Sequence, residues 1–212
     1  MRRFIFILTL ALAALQGFAQ KEAGKLTFVP KIGINLANVA GDDLYYLHDG
    51  IGDKKLEPKQ CIGIVAGIEG EYQLSAPLSL SAGLFYSLQG HKYDDIELQK
   101  DYSATLHYIN VPIMLNLYAI KGLALKAGIQ LGYAFYKKIS YDEKIGNSWG
   151  SYSTTGTNYA SFDLGIPVGI SYDLDKVRID ARYILGLLDL NKLDIGGKYS
   201  NRVIQVTVGY IL

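Results

Sequence analysis

Eight ionisable side chains sit where a strongly apolar sequence has least room for them. Lys31, Glu69, Glu71, Lys126, Asp163, Arg178, Asp180 and Arg182 each lie inside a run of aliphatic and aromatic residues, four of each sign. Charges in such surroundings are expensive unless paired and hydrogen-bonded. Two kinds of chemistry suit the set. One is a balanced salt-bridge network that fills an interior; the other is a selectivity ring or a proton path. The equal signs favour the first, because an ion-selecting ring takes one sign.

Three further groups deserve the same question. In "GDDLYYLHDGIGD" (41–53), Asp42, Asp43, His48, Asp49 and Asp53 offer oxygen and imidazole ligands, but their spacing fails the D-x-[DN]-x-[DN]-G calcium loop, so no metal site is expected. "YDEKIGNSWGSYSTTGTNY" (141–159) holds the single tryptophan, Trp149, with Tyr152 among Gly, Ser and Thr. Trp149 and Tyr152 are candidate contacts for a protein or glycan partner, since aromatic rings on a surface loop stack on sugars or pack on a partner. His107 could meet Ser87 or Ser161 and a carboxylate in a hydrolase-like arrangement. No G-x-S-x-G, H-E-x-x-H, P-loop or dinucleotide fingerprint accompanies it. Neither an enzyme nor a cofactor is expected.

The elements that must position these groups follow from one pattern, alternation. In "LALKAGIQLGYAF" (123–135), Leu123, Leu125, Ala127, Ile129, Leu131, Tyr133 and Phe135 form one parity, and Ala124, Lys126, Gly128, Gln130, Gly132 and Ala134 the other. That is the period of a two-faced strand. The same period gives strands at about 26–37, 61–74, 78–89, 105–118, 159–173, 176–187 and 202–212, hence eight in all. Short links fall at 75–77, 119–122 and 173–176, and long polar ones at 38–60, 90–104, 137–158 and 188–201. Short turns at one end and long loops at the other describe an up-and-down meander of the outer-membrane kind.

Composition sets the frame. The chain has 212 residues, half of them hydrophobic, with 23 glycines and 17 tyrosines. Lys and Arg number 21 against 20 Asp and Glu, so a nucleic-acid partner held by phosphate neutralisation is not expected. The lone cysteine, Cys61, excludes an intrachain disulfide and reads as a wall residue. "MRRFIFILTLALAALQGFAQ" has a basic start, an apolar run and small residues at Gly17 and Ala19, the form of a cleavable signal over 1–19. Residues 20–212 then make one domain, and loss of Arg2 and Arg3 takes its net charge from +1 to about −1. After the signal no apolar run is long enough for a transmembrane helix.

Alternation does not say which parity faces out; volume does. Five to seven large apolar side chains on each of eight strands would overfill a barrel just wide enough for its own side chains. The parity rich in Gly, Ser and Asn suits a crowded lumen. Strands of about 11 to 14 residues exceed the roughly 5–6 usual in soluble sheets and suffice for a tilted span. Phe28, Tyr72, Tyr172 and Tyr210 near the short turns, and Tyr86, Tyr133, Phe135 and Phe162 towards the long loops, are placed as two interfacial girdles. The reading is an eight-stranded antiparallel transmembrane β-barrel with the apolar parity towards membrane lipid and both termini periplasmic.

Particular segments carry a family likeness. "YINVPIMLNLY" (108–118) resembles the fourth-strand signature of the PorT-like outer membrane β-barrel family of Bacteroidetes. "PKIGINLANVAG" (30–41), "ARYILGLLDL" (181–190) and "VTVGYIL" (206–212) are similar to its first, seventh and closing strands. The chain departs from it at Leu212, where outer membrane barrels often end in phenylalanine. The resemblance implies an integral outer membrane barrel, and the missing catalytic motifs make it non-enzymatic by expectation. Envelope support or partner binding through the long loops comes first, with small-solute or apolar-ligand passage and an accessory part in type IX secretion as alternatives.

Overall fold

The computed structural model describes residues 22–41, 44–46, 54–56, 58–95, 99–156, 159–191 and 198–212. The signal segment and Asp42, Asp43, His48, Asp49 and Asp53 lie outside the described residues. Among the described residues there are eleven strands: β1 (Leu26–Gly41), β2 (Leu44–Tyr46), β3 (Lys54–Leu56), β4 (Pro58–Ser75), β5 (Leu78–Tyr93), β6 (Gln99–Ile120), β7 (Leu123–Ile145), β8 (Ser148–Thr155), β9 (Phe162–Leu174), β10 (Val177–Gly186) and β11 (Tyr199–Tyr210). All pairings are antiparallel.

Eight of these strands close a ring. Going round it, β1, β4, β5, β6, β7, β9, β10 and β11 each bond to the next, and β11 returns to β1. Closure leaves no sheet edge in the wall, which a membrane demands because lipid cannot satisfy free backbone groups. The hairpins at one end are tight: Ala76–Pro77, Lys121–Gly122 and Asp175–Lys176 are the only residues between paired strands. Gly122 at φ 83° supplies the positive dihedral that such a turn requires.

The apolar parity faces out. Ile32 is 68 % exposed and Ile129 50 %, whereas their neighbours Lys31 and Gln130 are buried. The wall is apolar outside and polar inside, so the true core is the lumen. Phe85 packs in it against two glycines: a Cβ on Gly83 would meet its ring at 2.4 Å, and one on Gly67 at 2.5 Å.

The end opposite the tight hairpins differs from the sequence reading. The segments expected as polar loops at 38–60, 90–104 and 137–158 are partly strand. β1 continues to Gly41, β5 to Tyr93, β6 starts at Gln99, and β7 runs on to Ile145. β7 then turns at Gly146, φ 61°, and pairs with β8 over eight residues. Backbone pairing persists there although the apolar alternation has ended, because Thr, Tyr and Trp favour a strand without being aliphatic. β2 and β3 form a separate small ladder.

Candidate functional site

The lumen is crossed by salt bridges from four walls. Lys31 (β1) donates through Nζ to Glu69 Oε1 (β4) at 2.8 Å and to Asp180 Oδ2 (β10) at 2.9 Å. Lys126 (β7) donates to the same two oxygens at 2.9 and 2.8 Å. Two ammonium groups and two carboxylate oxygens thus alternate round a square. Arg182 closes it from one side, with Nε to Asp180 Oδ1 at 2.6 Å, Nη2 to Asp180 Oδ2 at 2.8 Å, and a further bond to Glu69. Three cations meet two carboxylates here.

The layer nearer the short turns has the opposite imbalance. Arg178 forks onto Asp173, Nε to Oδ1 at 2.6 Å and Nη2 to Oδ2 at 2.9 Å, and also donates to Glu71. Glu71 Oε1 accepts from Tyr118 Oη at 2.5 Å and from Ser79 Oγ at 2.7 Å. Arg178 Nη1 lies 3.6 Å from Glu69 Oε1 and joins the two layers. Together they hold four cations and four carboxylates, neutral overall. Fork-shaped guanidinium–carboxylate contacts are the strongest of these, being both charged and bidentate.

Register explains why such long chains fit. Lys31 lies across from Gly67 and Gly209, Arg178 across from Gly209, and both Lys126 and Arg182 across from Gly169. Each cation has a cross-strand neighbour without a side chain, which leaves it room to cross the barrel. A Cβ on Gly209 would lie 2.8 Å from Lys31 Cγ.

Of the eight charges read from the sequence, seven meet in this network and Asp163 does not. Asp163 belongs to the next layer outward, where Asn201 Nδ2 donates to its Oδ2 at 3.3 Å. Asn201 also bonds Gln89, Gln89 donates to Ser87 Oγ at 2.8 Å, and Asn35 donates to the same Ser87 oxygen at 2.7 Å. Asp163 stands at the start of β9, opposite Gly132, whereas Lys126 lies opposite Gly169, so shared parity did not mean shared height. Asp173, ten residues further along β9 on the same parity, takes its place in the network. Tyr118 and Asp173 escaped the sequence reading, though parity alone would have pointed Asp173 inward.

Above the amide layer an aromatic cap seals the lumen. Val39, Ala104, Leu106, Tyr108, Ala134, Tyr159 and Leu190 are buried together, with Tyr102, Ile139 and Tyr199 against them. His91 is wholly buried among these rings and shares a 3.0 Å hydrogen bond between Nε2 and Tyr159 Oη. It stands beyond the girdle, outside the membrane-spanning part, and burial lowers its pKa from 6.5 to about 4. Burial beside other phenols likewise pushes Tyr199 up to about 12. At the opposite end a cavity of about 430 Å³ opens between Lys25, Thr27, Gln73, Lys121 and Asp175, and ends on Tyr118 and Asp173.

His107 does not join a catalytic group. It lies on the lipid-facing parity of β6, where Tyr86 Oη is 2.8 Å from its Nδ1 and Phe135 and Tyr136 pack on its ring. Ser87 points into the lumen and bonds Asn35 and Gln89. Ser161 accepts from Lys137 Nζ at 2.8 Å. Opposite faces of the wall separate the histidine from Ser87. The outer girdle itself forms as read, with Tyr133 and Phe162 ring centroids 5.1 Å apart. Trp149 and Tyr152 lie on β8, a strand rather than a loop; both are about 40 % exposed, and Lys100 Nζ stands 4.3 Å over the Trp149 ring.

A closed, antiparallel, eight-stranded ring, apolar outside and ionic inside, defines an integral outer membrane β-barrel. The chain belongs to the outer membrane protein beta-barrel domain family, whose profile matches residues 18–192. No curated protein matches it. Among solved structures it is similar to Ail, the attachment invasion locus protein of Yersinia pestis, at 15 % identity over 90 % of this chain and 100 % of that one, TM-score 0.49. Neisserial surface protein A shares 16 % identity over 86 % of this chain and 96 % of that one, TM-score 0.46. OprG of Pseudomonas aeruginosa shares 14 % over 92 % and 99 %, TM-score 0.39.

Proposed function

We infer that this protein is a closed, non-catalytic barrel that supports the envelope and presents its long-strand end to a partner outside the cell. The observation that carries the reading is the plug. Eight charged groups, among them Arg178, Lys31, Lys126 and Asp180, are drawn into direct ion pairs across the lumen with almost no exposure. A conducting pore keeps its charges solvated and of one sign at the constriction. This plug does neither, and the aromatic cap adds a second closure above it.

In this reading residues 1–19 are a signal removed on export, and both termini and the short turns face the periplasm. The likeness of the strand motifs quoted above supports membership of the PorT-like barrels of Bacteroidetes. Trp149 and Tyr152 serve the partner surface, and Lys31, Glu69, Glu71, Lys126, Arg178, Asp180 and Arg182 hold the barrel shut. Purified protein in a planar bilayer tests it: no stepwise current is expected. A sustained, reproducible conductance would overturn the closed-barrel reading and put small-solute passage in its place.

A further inference from the structure

The extension of β6 and β7, with β8 beside it, ends on a strand edge that no other strand pairs with among the described residues. Among the described residues β8 is hydrogen-bonded to β7 alone. Their eight pairs, from Ile145 with Ser148 to Lys138 with Thr155, run without a bulge. The strand reads SWGSYSTT, without charge or proline, and all its residues are exposed but half-buried Gly150. Natural sheets block such edges with a lysine, a proline, a bulge or a covering element.

The ladder shows which groups the edge offers. Gly156 N donates to Lys137 O at 3.2 Å, one step beyond the Lys138–Thr155 pair. Bonded pairs recur at every second residue of an antiparallel ladder. Thr154, Tyr152, Gly150 and Ser148 therefore turn their backbone groups to β7. Trp149, Ser151, Ser153 and Thr155 turn theirs to the open side.

A second feature lies on one face of the same sheet. Tyr102 of β6, Tyr141 of β7 and Tyr152 of β8 form a row of near-parallel rings, with centroids 6.5 and 5.7 Å apart and planes tilted by 17° and 22°. The row starts at buried His91 and half-buried Tyr93, which pack on Tyr102. It ends at exposed Tyr152, whose one aromatic neighbour among the described residues is Tyr141.

We propose that β8 receives an extended peptide of a partner protein as an added strand, with an aromatic side chain of that peptide opposite Tyr152 as the next ring of the row. The open backbone groups of Trp149, Ser151, Ser153 and Thr155 supply the hydrogen bonds, and the ring position supplies selectivity. An uncharged edge beside a row of phenols favours a peptide of alternating hydroxylic and aromatic residues over a charged one. The proposal rests on the partner-presenting reading above, but the edge and the lumen are assayed separately, so either can fail while the other stands.

The test uses the full chain in nanodiscs and two fluorescein-labelled octapeptides, one alternating Thr and Tyr and the other alternating Thr and Glu, read by anisotropy. The Thr–Tyr peptide is expected to bind and the Thr–Glu peptide not to. Ser151→Pro removes an edge-facing N–H and spares the bonds to β7, so it should weaken binding about tenfold, the worth of one net hydrogen bond. Ser151→Ala should leave binding unchanged, and Tyr152→Ala should abolish the preference for Tyr over Glu. Exchange protection at the Tyr152 amide verifies that the hairpin survives in each variant. Absence of Thr–Tyr binding, equal binding by Ser151→Pro, or β8-dependent self-association of the chain without peptide overturns the proposal.

Discussion

At the scale of single residues, the barrel stands or falls by how its buried charges are matched. Asp180 accepts from Lys31, Lys126 and Arg182 at once. Asp180→Asn would leave three cations around the single carboxylate of Glu69. Breaking a buried pair from one side costs about 3–5 kcal/mol, so the variant is expected to unfold at clearly lower urea than wild type in detergent micelles; an unchanged midpoint would sink the network as a stabilising plug. His91 makes a pH prediction. Its folded pKa of about 4 lies below its ordinary 6.5, so the neutral form is the folded form. Its contribution is complete above pH 6.5. It falls by about 1.4 kcal/mol per pH unit as pH drops towards 4, because the unfolded chain takes up the proton and the folded one does not. Unfolding midpoints of wild type and His91→Gln, compared across that window, should diverge on the acid side if His91 is buried as described.

Strands carry the next level of argument. Ile129 sits at the middle of the apolar stretch 123–135 of β7 with half its surface open to lipid. Arginine there costs about 2–4 kcal/mol at the bilayer midplane, and Ile129→Arg is expected to lose the heat-modifiable gel shift of a folded barrel. Normal heat-modifiability would mean that the faces are exchanged. The strand bodies were legible from alternation because period two survives across every wall element. Their outer ends were not. Beyond residue 136 β7 reads KKISYDEKI, mostly charged and polar, and its periodicity cannot separate an exposed strand from a loop. β8 exists because β7 is there to pair with it, a non-local cause.

For the whole molecule the open question is orientation. Ser153→Cys on β8 and Asp175→Cys in the β9–β10 turn, each in a Cys61→Ser background, probe opposite ends of the barrel. A membrane-impermeant maleimide added to intact cells is expected to label the first and spare the second. The reverse pattern would place the termini outside. The closed ring makes this a clean test, since the wall offers no other route between the two ends.

Alternation in the sequence determined by itself that each wall strand has two faces, and side-chain volume that the apolar one meets lipid while Lys31, Lys126 and their fellow charges turn inward. Those are properties of one strand at a time, and a side chain's face depends only on its parity. Which charges meet depends on how far each strand is sheared against the next and on where glycines leave room across the lumen. Only the closed tertiary structure decided that Lys31 and Lys126 share Glu69 and Asp180, that Asp173 rather than Asp163 completes the network, and that β8 presents an open edge.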